Sequence, residues 1–374
     1  MDFDQEAARL HEEYIALLEE LCAIPAPLHE EGARARFVLG WLEKNGLHGG
    51  RIDEAGNVVL PYDCAAGDYI VFTAHMDTVF PEKQTFPVLH EGHIAKCPGI
   101  GDDTANMAAL LLLARWAVGG KHRFDHPLLF AWDTGEEGLG DLSGVRALMR
   151  QYGTHMAALV ALDSVYPNMV CKAVGSVRYR IEIETNGGHS FRNFGSPNAI
   201  ERMAQLIEAL YRQPLPRYEG SHTTYNVGTI TGGTSVNTIA QNAEMLYEFR
   251  SDRAEALEDM ERQMHELLTE CERDGVRLSC EEIGRRPAGS VDTAAQRRLE
   301  EHWRAAVAAE LPGTEVHGSA GSTDCNIPLS MGIPAICVGG YRGGSAHTHE
   351  EWIDYDSLTL GYALLLRFLA SFAQ

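Results

Sequence analysis

The sequence predicts an α/β domain interrupted by a smaller α+β domain, because two kinds of strand pattern occur in different parts of the chain. In the segment 68–74, the residues that follow Asp68 form an apolar run, as expected of a strand buried on both faces in a parallel sheet. Residues 177–184 instead alternate apolar and charged side chains, which indicates a strand with one solvated face. The length of 374 residues is sufficient for two domains with separate cores.

Helices and strands alternate in the predicted first part of the α/β domain, residues 1–173. Apolar residues recur at helical spacing over residues 4–22, and continuous apolar runs mark the strands that follow. The predicted elements are helices at 4–22, 31–45 and 104–118, and strands at 55–60, 68–74, 127–133 and 157–162. This βαβ-type order predicts a mostly parallel central sheet with helices on both faces.

The order of elements changes between residues 174 and 285. The predicted elements there are strands at 177–184, 223–231, 243–250 and 276–283, and helices at 197–211 and 253–273. Their order, βαββαβ, is that of the ferredoxin-like fold. The α/β pattern returns over residues 286–374, with a helix at 292–310, a strand at 333–338 and a closing helix at 356–372.

Charge and composition restrict the class of protein. The formal net charge of −22 argues against nucleic acid and anionic membrane surfaces as partners. No apolar run approaches the ~20 residues that span a bilayer, and the acidic N-terminus does not resemble a signal peptide. The eight cysteines include no C-x-x-C pair, which favours reduced thiols. We therefore expect a cytoplasmic enzyme.

Two adjacent carboxylates, Glu136 and Glu137, follow an apolar run at 128–132 in a turn bracketed by glycines. Adjacent carboxylates repel each other, so such a pair is favoured where one residue binds a cation and the other transfers a proton. For an isolated pair, two solvated turn residues are the alternative interpretation.

Further acidic and imidazole groups stand at other strand ends and loops. His75 and Asp77 end the strand at 68–74 and point the same way, because residues two apart in a strand share a face. The others are Asp102 after a glycine-rich stretch, Asp163 after the strand at 157–162, and His347 on a glycine-rich loop. Because ligands in open α/β sheets collect at the carboxyl ends of strands, we expect these side chains to meet.

Carboxylate and imidazole ligands without thiolates suit zinc, with cobalt or manganese as alternatives. Two metals sharing a carboxylate would explain the number of ligands, and three carboxylates with one hydroxide would balance their charge. Glu136 would then remain free to act as a base. Each group taken alone has a structural alternative; for example, Asp103 or Thr104 could be the N-cap of the following helix.

The motifs resemble those of the two-zinc exopeptidase and deacylase family, which includes carboxypeptidase G, peptidase T, aminoacylase and succinyl-diaminopimelate desuccinylase. The similarity is carried by His75-x-Asp77, Gly101-Asp102-Asp103, Gly135-Glu136-Glu137-Gly138, Asp163 and His347-x-x-x-Glu351, and it is nearest to peptidase T-like members. It implies a zinc-exopeptidase-like catalytic domain over 1–173 and 286–374. It also implies a lid and dimerisation domain over 174–285.

Transferred by position, the resemblance implies the ligands of two zinc ions. His75 and Asp163 would bind one zinc, and Glu137 and His347 the other. Asp102 would bridge the two ions, and a cis peptide bond is expected after it.

The resemblance also assigns proton transfer and ligand orientation. Glu136 matches the general base of the family, and Asp77 matches the carboxylate that orients the neighbouring ligand His75.

In the lid, the resemblance implies residues that contact substrate. His189 matches a histidine that reaches the active site of a neighbouring subunit and stabilises the oxyanion. Asn237 matches a substrate contact, and Arg250 and Arg286 match positions where arginine binds a substrate carboxylate. Arg285 could take the role of Arg286.

These residues together predict a metal-dependent hydrolase that cleaves amide bonds of small peptides as an exopeptidase. An N-acyl amino acid deacylase would use the same residues, and the sequence does not specify which end of a peptide is attacked. A non-catalytic binding protein would usually have lost the base or a ligand, and this chain retains all of them. We expect a homodimer that acts on small peptides or N-acyl amino acids.

Overall fold

The chain folds into two units, and the first is assembled from two separated segments. The computed structural model describes residues 2–272 and 275–373. Unit 1 comprises Met1–Ala173 and Ser290–Gln374, and unit 2 comprises Val174–Gly289. The return to unit 1 comes at 289/290 rather than at the predicted 285/286, because the last long strand of unit 2 continues through Arg286.

The first segment of unit 1 contains most of its sheet. Its elements are α1 (Phe3–Cys22), α2 (Gly32–Lys44), β1 (Arg51–Ile52), β2 (Val58–Tyr62), β3 (Tyr69–His75), β4 (Leu89–Glu91), β5 (Ile94–Lys96), α3 (Asn106–Ala114), β6 (Leu128–Asp133), α4 (Ser143–Tyr152), β7 (Met156–Leu162) and β8 (Met169–Ala173). A π-helical turn over Arg115–Gly119 extends α3.

The elements of unit 2 and of the second segment of unit 1 follow. Unit 2 contains β9 (Gly175–Thr185), β10 (Gly188–His189), α5 (Ala199–Arg212), β11 (Thr223–Gly232), β12 (Thr238–Ile239), β13 (Asn242–Ser251), α6 (Ala254–Cys271) and β14 (Val276–Arg286). The chain continues through β15 (Gly289–Ser290), α7 (Ala294–Glu310), β16 (Gly318–Gly321), α8 (Asn326–Ser330), β17 (Ala335–Val338), β18 (Gly343–Gly344), β19 (Trp352–Asp354) and α9 (Asp356–Ala370).

The main sheet of unit 1 is mixed, with a parallel centre. Neighbouring strands follow the order β1-β2-β6-β3-β7-β17-β8, and β16 also pairs with β8. The four strands β6, β3, β7 and β17 pair in parallel, whereas β1, β2 and the β17–β8 contact are antiparallel. The carboxyl ends of the four parallel strands therefore lie at one edge of the sheet.

Alternate residues of β3 enter two hydrophobic cores, which confirms the expected helices on both faces. Ile70 and Phe72 pack in a core with residues of α1, α3, α7 and α9, and Val71 packs in a core with residues of α4 and α8. All nine residues of α3 are buried, as expected of a helix with other elements on every side.

A second, small antiparallel sheet in unit 1 has the order β18-β19-β5-β4. It was not predicted, because its strands are two or three residues long and show no periodicity. It connects two loops of unit 1. One runs from β5 to α3, and the other joins β18 to β19.

Unit 2 has the predicted ferredoxin-like arrangement. Its antiparallel sheet has the order β11-β13-β9-β14, and apolar residues of β9 and β13 share a core with α5 and α6. The predicted helix at 253–273 corresponds to α6, which ends at Cys271; position 273 lies outside the described residues. Over the described part of the chain, no helix is long and apolar enough to cross a membrane.

Candidate metal centre

Strand ends and two loops bring the predicted ligands of unit 1 together. His75 ends β3, Glu137 follows β6, and Asp163 follows β7. Because these three strands are parallel neighbours, their carboxyl ends deliver the side chains to one edge of the sheet. Asp102 comes from the loop between β5 and α3, and His347 from the loop between β18 and β19.

One group of possible ligands surrounds the imidazole of His75. His75 Nε2 lies 3.0 Å from Asp102 Oδ1 and 3.8 Å from Asp163 Oδ1. His75, Asp102 and Asp163 each offer a ligand atom within 4.8 Å of the other two.

A second group shares Asp102. His347 Nε2 lies 3.0 Å from Asp102 Oδ2 and 3.1 Å from Glu137 Oε1. Asp102, Glu137 and His347 also offer ligand atoms that are all within 4.8 Å of one another. The two oxygens of Asp102 therefore face two different imidazoles, which is the arrangement expected of a carboxylate between two metal ions.

The donor atoms fit divalent metal ions. Each group has one imidazole and two carboxylates, a donor set that suits zinc as well as manganese or cobalt. Buried carboxylates at such short distances need cations or protons to offset their repulsion. The two groups that share Asp102 together contain the five residues that the sequence predicts as ligands, and a third group joins His75 and Glu137 to Glu136.

The same crowding shifts the pKa values of the imidazoles in the metal-free protein. Burial lowers the pKa of His75, but its hydrogen bond to Asp102 and the nearby carboxylates of Asp163 and Asp77 outweigh it and raise this pKa well above its usual value. Hydrogen bonds to Asp102 and Glu137 raise the pKa of His347 to about 10. The carboxylates that could bind a cation thus also stabilise protons on these imidazoles.

The carboxylates respond in opposite directions. Burial raises the pKa of Asp163 to about 7, although the nearby imidazole of His75 acts against this. Burial also tends to raise the pKa of Asp102, but hydrogen bonds from His347 and His75 hold it well below its usual value. Asp102 therefore ionises at a lower pH than Asp163.

Asp77 contacts both His75 and the turn of the two glutamates. His75 Nδ1 lies 3.0 Å from the backbone carbonyl oxygen of Asp77 and 3.6 Å from its Oδ1, so the carbonyl is the nearer acceptor. The Asp77 carboxylate instead accepts hydrogen bonds from the backbone N–H groups of Glu136 (3.0 Å) and Glu137 (2.8 Å). It therefore fixes the turn that carries both glutamates.

The sequence left open whether Asp103 is the N-cap of the following helix, and in the structure it is not. Its Oδ2 accepts from the backbone N–H of His75 at 3.0 Å, and its Oδ1 accepts from the side-chain amide of Asn106 at 2.8 Å. Asp103 is fully buried, so it bonds groups on the strand and on the helix rather than solvent. The peptide bond between Asp102 and Asp103 is cis, as the resemblance implied.

Glu136 is buried beside the ligands. A carboxylate oxygen of Glu136 and ligand atoms of His75 and Glu137 lie within 4.8 Å of one another, and only 5% of the residue is exposed. Glu136 does not belong to either of the two groups of possible metal ligands that share Asp102.

Unit 2 brings His189 next to the segment of Asn237. In the pairing of β10 with β12, His189 is opposite Thr238, and the backbone N–H of Ser190 donates to the carbonyl oxygen of Asn237 at 3.1 Å. His189 Nδ1 accepts from the backbone N–H of Phe191 at 3.2 Å. Because Nδ1 is an acceptor, Nε2 carries the hydrogen in the neutral imidazole.

Glu248 forms ion pairs with the candidate Arg250 and with Arg178. Its Oε1 lies 3.0 Å from Arg250 Nε, and its Oε2 lies 3.3 Å from Arg178 Nε. Burial and the charge of Arg286 lower the pKa of Arg178. Nothing in the sequence singles out Arg178, because it is one of several charged residues in the alternating pattern of β9.

Arg285 and Arg286 have different surroundings. Arg285 forms an ion pair with Glu261 at 2.5 Å and with Glu282 at 2.6 Å. Arg286, the next residue in β14, is buried near Arg178 instead.

The fold and the site define a metal-dependent hydrolase of amide bonds. More particularly, the chain belongs to peptidase family M20/M25/M40, whose model matches residues 71–371.

Comparison with individual proteins agrees with this family. The chain is 29% identical over 300 residues to the uncharacterized protein YqjE of Bacillus subtilis, covering 78% of this chain and 77% of that protein. It is 24% identical over 366 residues to a succinyl-diaminopimelate desuccinylase of Corynebacterium glutamicum, covering 95% and 96%. The fold is similar to the crystal structure of aminopeptidase PepT from Bacillus cereus, with a TM-score of 0.76, 22% identity and coverage of 97% and 99%.

Proposed function

We propose that this protein is a two-zinc exopeptidase that releases a terminal residue from small peptides. The observation that carries this proposal is the pair of ligand groups sharing Asp102, with Glu136 buried beside them. Cobalt or manganese would suit the same donors. When bound, the metals would polarise the scissile carbonyl and lower the pKa of a water molecule.

Glu136 is the proposed general base and general acid. The carboxylate of Asp77 accepts a hydrogen bond from the backbone N–H of Glu136 at 3.0 Å. This bond fixes the backbone from which the Glu136 side chain extends beside His75 and Glu137. In the proposed reaction Glu136 takes a proton from the attacking water and later gives it to the departing amine.

His189 is the proposed hydrogen-bond donor to the carbonyl oxygen, acting from the second copy in a homodimer. Its Nδ1 is engaged with the backbone N–H of Phe191, which leaves Nε2–H as the donor. Such a donor gains strength as negative charge develops on the oxygen. Asn237, Arg250 and Arg286 are proposed to bind the polar end of the substrate.

Glu136→Gln tests the proposal, because the amide keeps the shape of the side chain but cannot accept the proton. We expect two zinc ions per chain by elemental analysis and a turnover of a tripeptide reduced at least ~100-fold. Glu350→Gln is the matched control, since Glu350 is exposed on the loop after His347 and should leave turnover unchanged. Near-normal turnover of Glu136→Gln would remove Glu136 from the mechanism.

N-acyl amino acid deacylation is the second candidate, favoured by the similarity to a desuccinylase over 95% of this chain. A panel of tripeptides, dipeptides, N-acetyl and N-succinyl amino acids, each assayed with zinc, cobalt and manganese, separates the two. We expect the highest kcat/KM on peptides. A higher value on N-acyl amino acids would replace the exopeptidase proposal with the deacylase. Peptides blocked at either end would identify the terminus that is attacked.

A further inference from the structure

The carboxylate of Glu351 receives three backbone N–H groups from one loop. Its Oε1 accepts from Gly101 and from Asp102, both at 2.8 Å, and its Oε2 accepts from Gly99 at 2.8 Å. Only 2% of Glu351 is exposed. The loop held in this way is the one that presents Asp102 to both imidazoles.

Glu351 also belongs to the segment that presents His347. It lies four residues after His347 and immediately before β19, and its backbone N–H donates to the carbonyl oxygen of Thr348 at 3.2 Å. Its own carbonyl oxygen accepts from the backbone N–H of Cys97 at 3.1 Å. Glu351 therefore links the loop of His347 to the loop of Asp102 through both its main chain and its side chain.

The loop of Asp102 is enclosed on its other side. A Cβ atom at Gly101 would lie 2.7 Å from the hydroxyl oxygen of Tyr341, so the backbone there is in close contact with this side chain. Gly99 has a positive φ of 72°, which lets its N–H point to the same carboxylate as those of Gly101 and Asp102. Without Glu351, three backbone donors in a closed space would lose their acceptor.

We propose that Glu351 is a positioning residue for the metal pair, which sets the orientation of Asp102 so that each of its oxygens faces one imidazole. This inference rests on the proposed function, since it concerns the ligands of the metals. Glu351 does not itself supply a ligand atom to either group and acts through the backbone of Asp102. Small displacements matter here, because a ligand misplaced by about 1 Å weakens a metal site strongly.

Glu351→Gln is the main test, because the amide has nearly the same shape as the carboxylate. The NH2 group of the glutamine would replace one of the carboxylate oxygens that accept hydrogen bonds from the loop. At least one backbone N–H would then face a second donor, so the loop must shift. We expect zinc affinity to fall by about 10–100-fold, as is typical when a group that orients a ligand is changed. Glu350→Gln, the exposed neighbour, should bind zinc like the wild type.

Glu351→Asp keeps the charge but draws the carboxylate back by one methylene group. We expect a zinc affinity between those of the wild type and of Glu351→Gln. This variant also provides a measurement if Glu351→Gln is recovered unfolded. In that case, wild-type affinity of Glu351→Asp would overturn the inference.

Two further readouts separate positioning from a general effect on folding. The visible absorption of bound cobalt reports ligand geometry and should change in Glu351→Gln but not in Glu350→Gln. The melting temperature of the metal-free protein reports the fold alone. If Glu351→Gln only melts earlier, yet binds two metals with wild-type affinity and an unchanged cobalt spectrum, the inference is overturned. Wild-type protein that binds fewer than two metals would instead overturn the proposed function, and this inference with it.

Discussion

Asp102 presents its two carboxylate oxygens to different imidazoles, at 3.0 Å from His75 Nε2 and 3.0 Å from His347 Nε2. Both imidazoles respond to this carboxylate with a raised pKa in the metal-free protein. At the scale of single residues, protons and metal ions therefore compete for the same atoms.

This competition predicts how zinc affinity depends on pH. Without metal, the pKa of His347 is about 10 and that of Asp163 is about 7, so both groups hold protons more readily than usual near neutral pH. Metals bind neutral imidazole and ionised carboxylate, so binding must release protons. Zinc affinity should therefore rise with pH, about tenfold per pH unit for each proton released.

Isothermal titration calorimetry checks this prediction. Titrations of zinc in buffers with different ionisation enthalpies measure the number of protons released on binding. We expect at least one proton per metal pair and weaker binding at about pH 6 than at about pH 8. An affinity independent of pH, with no proton release, would show that these groups are not the ligands.

Several residues of the site were predictable because each follows a distinct apolar run. His75, Glu137 and Asp163 end or follow β3, β6 and β7, whose patterns are unambiguous. The contacts of Asp103 and Glu351 were not predictable. Glu351 bonds N–H groups about 250 residues earlier in the chain, and Asp103 bonds the backbone of a strand. No local pattern encodes such partners.

At the scale of elements, long helices and strands were predicted well and short ones were not. The strands of the small sheet are too short to show a period, yet they support the loops of Asp102 and His347. Helix α4 was also missed. It follows Asp141 and Leu142, both with positive φ, and no side chain caps its first turn, so the usual signal for a helix start is absent.

The packing of α9 gives a prediction at this scale. A Cβ atom at Gly361 would lie 1.7 Å from the backbone carbonyl oxygen of Gly340, and a backbone atom cannot rotate away. Gly340 is itself held by Asn106, whose side-chain amide also bonds Asp103. Gly361→Ala should therefore push α9 outward and destabilise unit 1 by about 1–3 kcal/mol or more.

Gly40→Ala is the matched control, because Gly40 is also inside a helix but a Cβ atom there would have no neighbouring atom within 4 Å. This change should raise stability by about 0.5–1 kcal/mol through helix propensity. Thermal unfolding of the metal-free proteins measures both effects. Equal shifts in the two variants would contradict the close approach of α9 to Gly340.

At the scale of the whole molecule, the proposed homodimer gives a test by mixing two inactive variants. If each active site uses Glu136 from one copy and His189 from the other, Glu136→Gln and His189→Ala homodimers should both be nearly inactive. After exchange at equal amounts, half of the dimers carry both variants, and one of their two sites has both residues intact. The mixture should recover about a quarter of wild-type turnover.

Turnover of tripeptide, measured after incubation long enough for subunit exchange, checks this prediction. Mixing Glu136→Gln with Glu136→Gln,His189→Ala is the control, since no site in that mixture can contain both residues. Recovery no greater than in the control would show that His189 does not act across a subunit boundary.

The central claim is that two metals lie at the carboxyl edge of the unit 1 sheet and share Asp102. Anomalous scattering at the zinc absorption edge, from crystals grown with zinc, tests it most directly. We predict two peaks about 3.5–4 Å apart, one next to His75 and Asp163 and the other next to Glu137 and His347, with Asp102 in contact with both. A single peak, or peaks that do not contact Asp102, would contradict the claim.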